Sequence, residues 1–421
     1  MKEQTVKIYK KISRRLLDII KWIVMGFLTG ILVGGVGTAF SYLLSKAATF
    51  RDSHLWIVYL LPVGGLMIVG LYKLMKVDKD KGTNLVLTSI SGKDELPFKM
   101  APLIFLSTVI SHFFGASVGR EGAALQLGGS LGNTIGESFG FRECDRKILI
   151  MTGMSAAFSA LFGTPAAAAV FAVEVAVIGT MYIQALLPCV IAAYTASRLP
   201  LAIGIKPERL PLGNVPDMSF VLILVVLAGL CGVLAIVFCV VMKKTKKYSE
   251  KLIKNPWLRV VAGAAVFIGI TALTRSTDYY GTGMNVIERA VTEGEAVPYA
   301  FALKLVLTAL MLGVGFKGGE IVPTFFVGAT FGCVIGKLLG ISPGLAAAAG
   351  MASLFCGVTN CPFAAAIMCF ELFGFESAPY ILIVTAISYA VSGYCSLYSG
   401  QYCDVSKYSL KMGNTGENTD N

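Results

Sequence analysis

Arg120 and Glu121 stand side by side between two glycines in "GREGAALQLGGSLGNTIG", residues 119–136 of a 421-residue chain. A base and an acid there, followed by an apolar glycine-spaced run, suit anion and proton chemistry. A helix leaves its first backbone N–H groups without intrahelical partners. Those donors, with the positive end of the helix dipole, attract anions, and glycine permits close approach to the backbone. A carboxylate at such a helix start is a tethered anion, stabilised by about 0.3–2 kcal/mol. It competes with a free anion for the same donors, and once protonated it can leave. Glu121 is therefore a candidate gate and proton carrier. The plainer reading is a helix-terminal ion pair with Arg120.

The pattern recurs 200 residues later as "GGEIVPTFFVGATFGCVIG", residues 318–336, where Gly319, Gly328, Gly332 and Gly336 match Gly119, Gly128, Gly132 and Gly136. A second pair aligns Met154, Pro165 and Glu174 with Met351, Pro362 and Glu371. A third aligns Gly82 and Asn84 with Gly283 and Asn285. Three matches in one order at nearly one offset indicate a duplication. Glycines at every fourth residue line one helix face and let membrane helices pack closely. Glu174 and Glu371 are expected to cap or brace helices.

The elements that hold these residues are membrane helices. The chain is 55% hydrophobic and 14% charged, against about a quarter charged in soluble domains, and it contains many apolar runs of spanning length. The fold class is an all-α polytopic membrane protein. Its net charge of +11 comes from basic segments beside apolar runs, which indicates positive-inside topology rather than nucleic-acid binding. Seven Lys or Arg lie in residues 1–21, placing the N-terminus in the cytoplasm, and seven more lie between Met242 and Arg259. Equivalent loops of the two halves thus differ in charge and lie on opposite faces. That is an inverted repeat, with broken or re-entrant helices and a site at the repeat interface. The expected divisions are a basic segment 1–21, a first repeat 22–204, a linker 205–218, a second repeat 219–405 and a polar tail 406–421. The ten cysteines are scattered and the only histidines are His54 and His112, so no metal site and no cofactor are expected.

Together these residues resemble the CLC family of chloride channels and anion/proton antiporters, from about residue 20 to 405. The family's GREGP motif appears as Gly119-Arg120-Glu121-Gly122-Ala123, and its GxFxP motif as Gly319-Glu320-Ile321-Val322-Pro323. Its pore tyrosine corresponds to Tyr398 in "SLYSG". The resemblance implies a homodimer in the bilayer with one ion pathway per subunit. It implies Glu121 as the gating glutamate, with Ile321 and Tyr398 beside the anion. Gly119, Arg120, Gly122 and Val322 join them as anion-binding candidates. The family's GSGIP run is here Asp80-Lys81-Gly82-Thr83-Asn84, adding Lys81, Gly82, Thr83 and Asn84. The serine is lost and Lys81 takes its place. The inner proton-transfer glutamate that follows the Glu174 position in typical antiporters is Val175, and Glu320 is an added acid. These departures resemble the bacterial fluoride/proton antiporter branch, which usually has Met where Lys81 stands. Glu320, when protonated, is a candidate donor to fluoride and a second stop for the proton. The expected function is fluoride/proton antiport; the alternative is a chloride channel or chloride/proton antiporter.

Two other signals compete. "GASVG", residues 115–119, fits the GxSxG elbow of serine hydrolases around Ser117, but of the histidines that could serve as the base such a nucleophile requires, His112 is poorly placed five residues upstream on a helix and His54 sits in a charged loop. Lys304, in "FALKLVLTAL", is expected to snorkel to the membrane interface.

Overall fold

Among the described residues, eight α-helices in each half follow one plan. The computed structural model describes residues 2–77, 81–212, 220–403 and 405–408. The first half comprises α1 (Lys2–Ser53), α2 (Leu61–Leu74), α3 (Thr83–Ile90), α4 (Met100–Phe113), α5 (Glu121–Ser138), α6 (Glu143–Phe162), α7 (Pro165–Glu174) and α8 (Leu186–Ala202). The second comprises α9 (Val221–Leu252), α10 (Pro256–Thr274), α11 (Met284–Glu288), α12 (Ala300–Val314), α13 (Ile321–Leu339), α14 (Pro343–Thr359), α15 (Pro362–Phe373) and α16 (Ala378–Val391). Among the described residues, six segments, including stretches of α1, α9 and α13, are long and apolar enough to cross a membrane. Others, such as α7 and α15, have 10–17 residues, too few to cross a core of about 30 Å alone.

Local sequence sets the breaks. Gly163 ends α6 in the left-handed region and Pro165 opens α7 at its first turn. Asn360, at φ 58°, ends α14 in the same way before Pro362 opens α15. Such a residue stops a helix, and a proline starts the next without losing a hydrogen bond. The basic N-terminal segment is continuous with α1 rather than a separate element. Part of the expected linker (213–218), Asp80 and most of the expected tail (409–421) lie outside the described residues.

Glycine stripes join the helices in pairs. A Cβ on Gly132 would stand 2.1 Å from the Leu149 carbonyl oxygen on α6, and one on Gly332 would stand 2.1 Å from that of Ala346 on α14. Backbones thus touch directly in the α5–α6 and α13–α14 pairs, as small-residue spacing permits.

Several contacts fasten the halves together. Gly119 donates to the Gly319 carbonyl and Gly319 donates to the Gly119 carbonyl, both at 2.7 Å, as an isolated antiparallel bridge. Equivalent segments meeting antiparallel fit a two-fold axis between the repeats, as an inverted repeat requires. Around that axis, Glu174 accepts from the Phe363 and Ala364 N–H groups at 3.1 and 2.7 Å, capping α15. Glu371 accepts from those of Ala166 and Ala167 at 3.1 and 2.8 Å, capping α7. Each repeat's carboxylate therefore closes the N-terminus of the other repeat's short helix, as the matched positions led one to expect. A short parallel pair, β1 (Val177–Ile178) with β2 (Tyr402–Cys403), ties the end of the chain to the first repeat.

Candidate anion site

The Gly119–Gly319 bridge sets the starts of α5 and α13 beside each other. The approach is so close that only glycine fits. A Cβ on Gly319 would stand 2.5 Å from the Gly122 nitrogen, and one on Gly119 would stand 2.9 Å from the Gly319 oxygen. Glu121 opens α5 and is fully buried. Its Oε2 accepts from the Val322 N–H of α13 at 3.3 Å and from the Arg120 N–H at 3.0 Å. Its Oε1 accepts from Arg120 Nε at 3.3 Å. The carboxylate thus occupies the start of the opposite repeat's helix, where unpaired N–H groups and the dipole favour a negative charge.

Arg120 divides its guanidinium between two acids. Its Nη2 donates to Glu208 Oε1 at 2.6 Å, a shorter contact than the one it makes with Glu121. Glu208 lies in the described part of the segment joining the repeats. Nothing in its local sequence marks it, because the contact spans 88 positions.

A cavity of about 400 Å³ approaches this centre. Its mouth includes Lys81, Lys243, Lys246, Lys247 and Lys317, and its inner wall includes Glu320, Gln126, Thr83, Asn84 and Tyr398. Glu250 also lines it, so the wall carries five lysines against two glutamates, and a cleft with an excess of one sign of charge concentrates the opposite ion. Glu320 links the cavity to the bridge, since its Oε2 lies 3.3 Å from where a Cβ on Gly122 would stand. The Tyr398 hydroxyl is buried and has no hydrogen-bond partner among the described residues.

The sequence candidates separate into groups. Gly82, Thr83, Asn84, Glu320 and Tyr398 share the cavity, while Glu121, Gly122, Ile321 and Val322 are buried at the bridge. Gly119 has both its N–H and its carbonyl engaged by Gly319, so its amide is not offered to an anion. Lys81 lies at the mouth, but its ammonium donates to both oxygens of Asp94 at 2.8 Å. Asn84 turns its Oδ1 to the Gly400 N–H at 2.8 Å, supporting the tyrosine loop. Thr83 Oγ1 reaches the Gly122 carbonyl at 3.4 Å.

One expectation needs correction. Lys304 does not snorkel: it is fully buried. Its ammonium donates to the Gly281 carbonyl at 2.7 Å and lies 5.2 Å from the centre of the Phe326 ring. Backbone oxygens and a π face replace water for this charge. Ser117 has no nucleophile geometry either. Its Oγ pairs with Thr308 Oγ1 at 3.2 Å, and His112 Nδ1 pairs with the Thr108 carbonyl at 2.9 Å.

Comparison with known proteins gives the same architecture. The family described as "Voltage gated chloride channel" matches residues 64–393. A "Chloride/fluoride channel protein" of Pseudomonas syringae pv. tomato is 37% identical over 399 residues, covering 93% of this chain and 88% of that protein. The crystal structure of a CLC-type fluoride/proton antiporter superposes with a TM-score of 0.88 at 33% identity, covering 92% of this chain and 99% of the other. A slow cyanobacterial Cl-/H+ antiporter shares the fold, with a TM-score of 0.77 at 19% identity over 88% of this chain and 94% of its own. The chain belongs to the voltage-gated chloride channel family, the CLC proteins.

Proposed function

We propose that this protein exchanges fluoride for protons across the membrane. The observation that carries this reading is the Glu121 carboxylate on the Val322 N–H across the repeat interface. A buried carboxylate holding donors that suit a free anion links the two ions in one residue. With Glu121 ionised, its own charge fills the site. With Glu121 protonated, its claim on those donors weakens and an anion replaces it. Proton uptake and anion binding then alternate.

Fluoride rather than chloride is supported by Glu320. Fluoride holds its water strongly, so a dry site needs strong donors to replace that shell. A protonated Glu320 on the cavity wall offers a short, charge-assisted hydrogen bond that the smaller halide accepts better. It also offers the proton a second stop in place of an acid at Val175. The sequence and fold matches to a chloride/fluoride channel protein and a fluoride/proton antiporter agree with this reading. Purified protein in liposomes should move fluoride faster than chloride, with protons moving the opposite way. Glu320→Gln should lower fluoride flux while leaving thermal unfolding nearly unchanged. Chloride transported well, with fluoride no faster, would leave an unusual chloride transporter instead.

The working form is proposed to be a homodimer, as the family implies, with the N-terminus in the cytoplasm on the strength of the basic residues in 1–21. Cysteines introduced one at a time at Ser53 and Lys251, with Cys144, Cys395 and Cys403 replaced by Ser, should be labelled from opposite faces. Labelling from one face would contradict this topology.

A further inference from the structure

Tyr398 is held in place by a residue that touches neither the bridge nor the cavity. Gln401 is buried, and both N–H donors and the oxygen of its amide are engaged. Its Nε2 donates to the Val175 carbonyl and to the Thr359 carbonyl, each at 2.7 Å. Its Oε1 accepts from Ser396 Oγ at 2.5 Å. Two backbone carbonyls can only accept, so the orientation of the amide is fixed by its neighbours. Val175 follows α7 in the first repeat, and Thr359 ends α14 in the second. One side chain therefore bridges both halves at the end of α7 that carries Glu174.

Its third contact reaches the pore tyrosine. Ser396 Oγ, which donates to Gln401, also accepts from the Tyr398 N–H at 3.0 Å. Gln401 N–H closes the turn on the Tyr398 carbonyl at 3.2 Å, and Asn84 secures Gly400 from the other side. The Tyr398 backbone is thus suspended from Gln401 through one serine hydroxyl, while its own hydroxyl has no partner among the described residues. A fully satisfied buried network fixes one geometry. Without a partner of its own, that hydroxyl is placed only by the loop that carries it.

We propose that Gln401 is a positioning residue for anion selection: it couples the packing of the two repeats to the place of the Tyr398 hydroxyl. The inference rests on the reading of Tyr398 as an anion-facing donor. It concerns geometry at the site and not the overall fold alone, and a double-mutant cycle separates the two. Glutamate matches the size of glutamine but cannot supply two donors to the Val175 and Thr359 carbonyls.

The test measures uptake, in liposomes, of whichever halide the wild type carries. It compares wild type, Tyr398→Phe, Gln401→Glu and the double variant, each checked for a single size-exclusion peak. Gln401→Glu should raise the halide concentration for half-maximal flux about tenfold in the wild-type background, but less than about twofold once the tyrosine hydroxyl is gone. Ser396→Ala keeps both Gln401 donors engaged and should show the same coupling to Tyr398→Phe, which serves if Gln401→Glu does not fold. Equal penalties in both backgrounds would overturn the inference and leave the anion-facing reading of Tyr398 standing. A Tyr398→Phe protein that transports like wild type would overturn both.

Discussion

The segments 119–122 and 319–322 share a backbone and differ in charge. Each contributes one glycine to the same antiparallel bridge, and each opens a glycine-striped helix. The first carries Arg120 and Glu121; the second carries Glu320 and Ile321. The acid therefore shifts by one position between repeats, and the consequence is spatial. Glu121 is buried against the opposite helix start, whereas Glu320 faces the lysine-rimmed cavity. By contrast, Glu174 and Glu371 occupy equivalent positions and do equivalent work. Symmetry is kept where the halves must be fastened together and broken where the two carboxylates take different places.

The comparison breaks most severely at the bridge. Gly319→Ala places a methyl 2.5 Å from a backbone nitrogen, which cannot swing aside as a side chain can. Overpacking of this kind costs about 1–3 kcal/mol or more, so little folded protein should be recovered by size exclusion. Normal recovery and transport would show that the bridge is not a fixed joint.

The reciprocal caps should show a smaller and unequal effect. Glu174→Ala strands the Phe363 and Ala364 N–H groups, at about 1–3 kcal/mol for each group left unsatisfied. Glu371→Ala does the same to Ala166 and Ala167, but Glu371 is less buried than Glu174, so water replaces more of the loss. Thermal unfolding in detergent should therefore fall further for Glu174→Ala. A larger fall for Glu371→Ala would contradict the comparison.

The smallest effect is expected at the cavity mouth. Hydrogen bonds from Lys81 hold the Asp94 carboxyl below its ordinary value of 3.8. A depressed carboxylate lends stability above its unfolded value and loses it as the pH falls through the folded one. The pair should thus contribute a constant amount above about pH 5. Asp94→Asn should change stability by less than about 1 kcal/mol and leave the shape of the flux–pH curve unaltered above that pH. A shifted curve would mean that Asp94 takes part in proton coupling.

Much of this arrangement could be read from spacing. The 200-residue offset located both halves of the bridge, the matched glutamates marked the caps, and four-residue glycine intervals marked the tight helix pairs. What spacing could not show was contact made by chain reversal. Glu208 reaches Arg120 from the connecting segment, and Gln401 joins Val175, Thr359 and Ser396 from three separate regions. Lys304 misled because hydropathy favours snorkelling and does not register the Tyr279–Gly281 carbonyls that fold back over its ammonium. Lys81 holds the position of an anion ligand in the motif, yet its long side chain finds Asp94, 13 residues on.

The central claim is that one carboxylate serves as both tethered anion and proton carrier. It is tested most directly by recording halide and proton movement together in liposomes carrying Glu121→Gln. The amide keeps the size of the side chain but can neither ionise nor accept a transported proton. The account predicts that proton movement driven by a halide gradient disappears, with halide flux either blocked or passive. Proton movement at the wild-type ratio in that variant would contradict it.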